Sequence, residues 1–399
     1  MPAGSDRGDT HQSPRVVLFT DTLGDVNGVS RFIRNAAEMA RLTGRDLTVL
    51  TSTNFEVPDA PNIVNVKPIF ATKMPKYENL ELVVPPIRKM LQVAASLRPD
   101  VIHVSTPGSV GLVGLRAAKV LRCKLLGVYH TDFPAYIEKL FHNESMTQGC
   151  EWYMRAFYRR FASIFTRSDS YSQRLLGMGI PRDRLHTLRP GIMTEQFHPH
   201  ARDLNAICKA CGDSPDSNAV RFLYCGRISV EKNMPMLSRL WQRVDAALRD
   251  KGVAAQLVLI GDGPYRAQME QELAGTRTQF LGFRYGTELT TLYASCDVFV
   301  FPSTTDTLGQ VVMESQSSGL PVLVTDQGGP KEVVRDGETG FVLPAGDLDA
   351  WTARMVDLAT NVQLRQRMGR AAHEFMQQFS MARSFEHYWS VHEAVWKSS

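Results

Sequence analysis

No stretch of the chain approaches the roughly eighteen consecutive apolar residues that a membrane-crossing helix requires, so no segment is read as a membrane span. The opening MPAGSDRGDTHQSP has no apolar core behind its basic groups, which argues against an ordinary secretory signal and predicts a disordered tail over 1–14. A cytoplasmic protein is therefore expected. One-sided charge is also missing. The 45 Lys and Arg against 41 Asp and Glu leave a net +4, a mild surplus that suits an anionic ligand or membrane surface without specifying either. No basic stripe or recognition motif supports nucleic acid as a partner. Six cysteines are scattered as Cys123, Cys150, Cys208, Cys211, Cys225 and Cys296. Only Cys208 and Cys211 stand close, and without further ligands at regular spacing they read as small apolar residues, not as a zinc or disulfide framework. Internal repeats and low-complexity tracts are absent as well.

What is present is a chain of ordinary globular composition, 43% apolar and 22% charged, long enough at 399 residues for two cores. Short β-branched runs alternate with helical patterns: Val16–Phe19, Leu47–Leu50, Val64–Val66, Val101–Val104 and Leu125–Val128. Between the first two, Val29, Phe32, Ile33, Ala36, Ala37 and Ala40 recur on one helical face. The rhythm lapses into Pro, Gly, Asp and Ser between Arg189 and Asn218, then restarts with Phe222–Tyr224, Leu257–Ile260, Val298–Phe301 and Val322–Val324. Strand–helix–strand alternation implies parallel sheets with right-handed crossovers. The fold class is α/β, with two doubly wound domains and a ligand expected in a cleft at the strand C-termini.

The loops past these strands carry the chemistry. Asp21 to Val29 runs straight into a helix, and Gly28 at its start lets backbone amides approach a phosphate, although Asn27-Gly28 can equally be a plain turn. After Phe222–Cys225, Gly226-Arg227-Ile228-Ser229-Val230-Glu231-Lys232 places two cations five positions apart. Arg227 can grip a pyrophosphate bidentately and Lys232 can neutralise it as a point charge, whereas a solvated Arg–Glu turn is the bland alternative. After Val298–Phe301 come Asp306 in a loop and Glu314 two turns into the next helix, eight positions on. Carboxylates so placed suit the hydroxyls of a sugar and a ribose, and amides near Leu308 and Gly309 suit phosphate. A glycosidase-like acid/base pair is the rival chemistry, disfavoured by the α/β pattern with its phosphate-like loops. A capping Asp and a solvated Glu would be the structural alternative.

Together, GDVNGVSR (24–31), YHTDFPAY (129–136), RPGIMTEQF (189–197), CGRISVEKN (225–233), IGDGP (260–264), LGF (281–283) and STTDTLGQVVMESQSSGLPVLVTDQGGPKE (303–332) resemble the family 4 retaining glycosyltransferases of the GT-B fold. The resemblance implies an acceptor-binding Rossmann-like domain over 15–200, a nucleotide-sugar-binding one over 201–380, and a helix over 381–399 packing back on the first. It implies that Arg227 and Lys232 bind the donor diphosphate and stabilise the leaving group, with Asn27, Gly28 and Gly226 beside the phosphates. Leu308 and Gly309 would offer amides, Glu314 would bind the ribose, Asp306 the transferred sugar, Phe283 and Arg284 would flank the base, and His130 would stand near the reacting sugar. Asp306 replaces a commoner Glu and Leu308 a commoner Phe, which leaves the donor sugar open. HTDFPAY and the NGV loop are nearest to lipid-directed members, the GDP-mannose-dependent α-mannosyltransferases and sulfoquinovosyl-diacylglycerol synthases.

The implied activity is hexosyl transfer from a GDP- or UDP-sugar to a lipid or glycan acceptor. No Asp-x-Asp pair stands at a plausible donor-phosphate position, so neither metal nor cofactor is expected. The aromatic and basic stretch Glu151–Phe161 reads either as a core helix with a basic outer face or as an interfacial surface at the inner face of the cell membrane. A nucleotide-sugar epimerase or isomerase, and a non-catalytic nucleotide-sugar binder, share the same build. The loops at 226–233 and 306–314 favour transfer over both.

Overall fold

A computed structural model describes residues 12–24, 28–74, 77–134, 138, 143–214, 217–306 and 308–398, leaving aside the side chains of 73–80. Asn27, residues 1–11 of the expected tail and the end of the YHTDFPAY motif lie outside the described residues. The chain forms two compact units, residues 1–189 with 382–399, and residues 190–381.

The first unit is built on a seven-stranded sheet of order β3-β2-β1-β6-β7-β8-β9. Its strands are β1 Val16–Thr20, β2 Leu47–Thr51, β3 Ile63–Asn65, β6 Val101–Val104, β7 Lys124–Tyr129, β8 Ser163–Thr166 and β9 Leu185–Thr187. All paired neighbours run parallel. The near-continuous apolar runs of β1, β2 and β6 are buried along their whole length, the signature of a sheet covered on both faces. Between β3 and β6 the chain makes a separate antiparallel pair, β4 Phe70–Met74 and β5 Tyr77–Val84. Helix Gly28–Leu42 buries Ile33, Ala36, Ala37 and Ala40 and turns Arg31 and Arg41 outward, while Arg34 folds back to donate to Leu23 O at 2.9 Å.

The last helix, Met381–Lys397, belongs almost wholly to this unit. It buries Phe385, Tyr388, Trp389 and His392, and an apolar ring such as that of Phe385 contributes about 1.5–3 kcal/mol when fully buried. His392 meets His103 of β6 ring to ring, with Nε2 of one 2.8 Å from Nδ1 of the other.

The second unit carries a six-stranded parallel sheet, β12-β11-β10-β13-β14-β15. The strands are β10 Val220–Cys225, β11 Ala255–Ile260, β12 Thr278–Gly282, β13 Val298–Phe301, β14 Val322–Thr325 and β15 Gly340–Leu343. Each unit is thus a Rossmann-like α/β domain. The close cysteine pair is structural: Cys208 and Cys211 are buried, and Arg221 reaches both the Cys208 sulfur at 3.3 Å and Asp213 at 3.0 Å. Burial raises the Cys211 thiol to about 11. In the stretch 151–161, Met154, Phe157, Tyr158 and Phe161 lie in the core, and Trp152 and Arg155 face out.

Candidate active site

Parallel strands deliver the loops that follow them to one edge of the sheet, and there the second unit gathers its candidate residues. The loops after β10 and β11 are fused by backbone hydrogen bonds from Ile228 N to Asp262 O (3.0 Å) and from Tyr265 N to Ile228 O (3.0 Å). A Cβ at Gly261 would sit 2.1 Å from the Gly226 carbonyl oxygen, so only glycine permits this approach. The loop after β10 is tied in turn to the one after β13. Asn233, in a left-handed conformation, donates from Nδ2 to Pro302 O at 3.2 Å, and Thr305 Oγ1 donates to Glu231 O at 3.1 Å.

These ties bring Lys232 and Asp306 together. The ammonium lies 2.8 Å from both carboxylate oxygens, each side chain about a quarter exposed. Asp306 is held from behind by Gly329 N, which donates to its carbonyl at 2.8 Å. Arg227 is two-thirds exposed and only loosely paired with Glu231, at 3.8 Å. Its carbonyl accepts a hydrogen bond from the buried Tyr224 hydroxyl at 2.9 Å, which fixes the backbone while the guanidinium stays exposed to solvent.

Helix Gln310–Ser317 starts from Gly309, whose φ of +71° is left-handed and whose absent side chain leaves the first amides uncapped. Such a helix start, positive by its dipole and open to an anion, is what a phosphate requires. Leu308, half-buried, precedes it. Glu314 lies beneath, 2% exposed, accepting a hydrogen bond from Tyr293 Oη at 3.3 Å. Phe283 is exposed and its ring lies nearly parallel to that of Tyr285, 6.4 Å away. Arg284 folds back, with Nε 2.8 Å from Glu288 and Nη1 donating to Phe283 O, so its charge is spent locally.

The first unit makes its own cluster at the equivalent edge. The first residues past β1, β6, β7 and β8 are Asp21, Ser105, His130 and Arg167. Arg167 Nε donates to His130 Nδ1 at 3.1 Å, and its Nη2 donates to Gly28 O at 3.2 Å. A guanidinium can only donate, so the neutral imidazole carries its proton on Nε2, which faces Ser105 Oγ at 3.1 Å. Burial, aided by the Arg167 charge, holds the His130 pKa well below the usual histidine value. Asp21 is half-buried and accepts from Thr106 Oγ1 (2.6 Å), Val110 N (2.7 Å) and Gly111 N (3.3 Å), which anchors the start of helix Ser109–Leu121.

Of the residues expected from sequence, the structure joins Lys232 to Asp306 and, through Arg167, His130 to Gly28. Gly226, Leu308, Gly309 and Glu314 share the strand-end region of the second unit, and Asn27 lies outside the described residues. Arg167, Ser105, Asp21 and Tyr293 were missed. Arg167 and Ser105 occupy the same position as His130, one residue past a strand; assigning β8 would have exposed Arg167, whereas Ser105 already followed the assigned Val101–Val104 and was passed over.

Residues 26–196 match the family described as Glycosyltransferase Family 4, and residues 219–361 match Glycosyl transferases group 1. The chain is 32% identical over 371 residues to a GDP-mannose-dependent alpha-mannosyltransferase of Mycobacterium tuberculosis (strain CDC 1551 / Oshkosh), covering 90% of each. It is 30% identical over 371 residues to sulfoquinovosyl transferase SQD2 of Arabidopsis thaliana, covering 90% of this chain and 69% of that one. Among solved structures, a glycosyltransferase from Rickettsia africae ESF-5 superposes with a TM-score of 0.74 at 17% identity, covering 98% of this chain and 100% of its own. Anabaena HepE in complex with UDP gives 0.73 at 17% identity, with 95% and 99% covered. The uncapped helix start, the cationic loop and the buried acid thus belong to a member of glycosyltransferase family 4, a hexosyltransferase that takes its sugar from a nucleotide-sugar donor.

Proposed function

We propose that this enzyme moves a hexose, with retention of configuration and without a divalent cation, from a GDP- or UDP-sugar to a lipid acceptor. GDP-mannose is the first donor to try, because a relative named as GDP-mannose-dependent matches along nine-tenths of both chains. The observation that carries the reading is the Lys232–Asp306 contact of 2.8 Å beside the uncapped start of helix Gln310–Ser317. A diphosphate seated on that helix start would meet the Lys232 ammonium, with Arg227 free to swing in from solvent. Together they set fixed positive charge against the negative charge that develops on the departing phosphate, which is how preorganised groups lower such barriers. Asp306, holding Lys232 in place, keeps lone pairs for a hydroxyl of the sugar. Glu314 would accept from the ribose in exchange for Tyr293.

In the step itself the anomeric C–O bond to the diphosphate breaks as the acceptor hydroxyl approaches from the same face. The acceptor's proton passes to the departing phosphate oxygen, so no protein nucleophile is consumed. His130, neutral at Nδ1 and protonated at Nε2, would stand near the reacting sugar as a hydrogen-bonding group.

The test is nucleoside diphosphate release from a panel of GDP- and UDP-sugars, with chelator present, with and without a membrane lipid extract. Release from one donor that rises with lipid is expected, and Lys232→Ala should lower kcat/KM by about 100- to 1,000-fold. Activity lost to chelator and restored by manganese would overturn the metal-free mechanism. Release indifferent to lipid would overturn the lipid acceptor.

A further inference from the structure

Strands β4 and β5 form a sheet only two strands wide, and one of its faces is uncovered. The register pairs Phe70 with Val84 and Thr72 with Leu82 on one face, and Ala71 with Val83 on the other. Val83 is buried and Ala71 packs against the core of the first unit. On the open face Phe70 is 60% exposed, Leu82 50% and Val84 51%, and they continue into Ile69 at 73% and Ile87 at 47%. Single exposed apolar residues are ordinary, but Phe70, Leu82 and Val84 together on one face of a small, strand-edged platform, with exposed Ile69 and Ile87 just beyond its strand ends, mark an interaction surface.

The surroundings choose the partner. Lys67, Arg88 and Lys89 are exposed around this patch, and among the described residues no carboxylate lies within ion-pair distance, 4.0 Å, of any of them. Among the described side chains of the hairpin the acid is Glu81, which is turned inward, accepting from Thr53 Oγ1 at 2.6 Å and Asn54 N at 2.9 Å. An apolar centre rimmed by cations matches an anionic bilayer surface: the apolar side chains enter the headgroup boundary while Lys and Arg reach lipid phosphates. A second copy docking there would set cations against cations.

The patch is also in the right place. Thr53, which anchors Glu81, follows β2, and Val66 N donates to Thr51 O at 2.9 Å, so the hairpin is tied to the strand-C-terminal edge that holds His130 and Arg167. We infer that the open face of the β4–β5 hairpin, with Ile87 and the cations Lys67, Arg88 and Lys89, docks the first unit on anionic lipid membrane. It deepens the reading of a lipid acceptor and rests on it for its purpose.

The test floats the full chain with vesicles of phosphatidylcholine alone or mixed with phosphatidylglycerol, and titrates GDP in parallel. Wild-type protein should float with the mixed vesicles, less so as salt rises. Phe70→Ser/Leu82→Ser and, separately, Arg88→Glu/Lys89→Glu should each weaken binding about tenfold or more. Trp152→Ser should bind like wild type. All variants should keep the wild-type response to GDP, which separates lost docking from misfolding and from failure of the donor reading. Wild-type protein left behind by mixed vesicles would overturn the inference. So would variants that float normally, loss of binding in Trp152→Ser alone, or a patch whose removal abolishes self-association instead.

Discussion

At the scale of single residues, Arg167 links groups that would otherwise be independent. It keeps its charge, since burial lowers its pKa only to about 10, and spends that charge on His130 Nδ1 and the Gly28 carbonyl. It thereby fixes both the tautomer of the imidazole and its low pKa, while touching no reacting atom itself. Two consequences follow for Arg167→Ala. A positive charge beside His130 disappears, so the histidine pKa rises toward the usual 6.5 from its depressed value. The acid limb of kcat/KM should then move to higher pH, because the ring becomes protonated sooner as pH falls. A purely structural role would lower the rate at every pH without moving the limb. A pH–rate profile of nucleoside diphosphate release distinguishes these, and an unmoved limb would remove Arg167 from the proposed mechanism.

At the scale of elements, the helix Gln310–Ser317 depends on the residue just before it having no side chain. Gly309 has φ +71°, and a Cβ there would lie 2.9 Å from Pro330 Cγ. Gly309→Ala should cost about 1–3 kcal/mol, read as a lowered denaturant midpoint, and should weaken nucleotide binding as the uncapped amides shift. The last helix carries a second element-scale consequence. His392 Nδ1 faces the Tyr388 carbonyl at 2.8 Å, and a carbonyl only accepts, so that nitrogen holds the proton. Neutral His392 then accepts at Nε2 from His103 Nδ1, and His103 Nε2 is left buried without a partner. Burial lowers the His392 pKa to about 4 and that of His103 well below its usual value. The folded chain therefore binds fewer protons than the unfolded one. Stability is intact above pH 6.5 and falls below it, with a slope of up to about 1.4 kcal/mol per pH unit for each ring that stays neutral. The double variant His103→Leu/His392→Leu should flatten the acid limb of unfolding free energy between pH 6.5 and 4. An unchanged slope would acquit the pair.

Elements also show what the sequence could and could not reveal. Buried parallel strands such as Val16–Thr20 and Ala255–Ile260 announce themselves, because both faces must be apolar. The short β8, SIFT, and the hairpin Phe70–Val84 do not. β8 is only four residues long and begins with a serine, and the hairpin has no Asn-Gly turn and wears its apolar face outward, against the usual rule. Missing β8 meant missing Arg167 at its end. Lys232 and Asp306 were legible as separate loop residues. Their contact was not, because it depends on Asn233 and Thr305 clamping two loops that are about seventy residues apart in the chain.

At the scale of the whole molecule, the chain is two cores rather than one, and a single unfolding free energy need not describe it. The second unit, 190–381, is continuous in sequence and holds every residue proposed to bind the nucleotide except Asn27 and Gly28. The first is closed by a segment 382–399 that is remote in sequence. A ligand stabilises whatever must open to release it, by about 2.7 kcal/mol at a hundred times its dissociation constant. Hydrogen exchange of the full chain with saturating GDP should therefore slow the slowest core amides of the second unit, those of β10, β11 and β13, by about a hundredfold. The core amides of β1, β6 and β7 should slow far less if each unit opens on its own. Equal slowing in both sheets would mean that the chain unfolds as one cooperative body despite its two cores. Slowing confined to the first sheet would place the nucleotide in the wrong unit and undo the assignment of Lys232, Gly309 and Glu314 together.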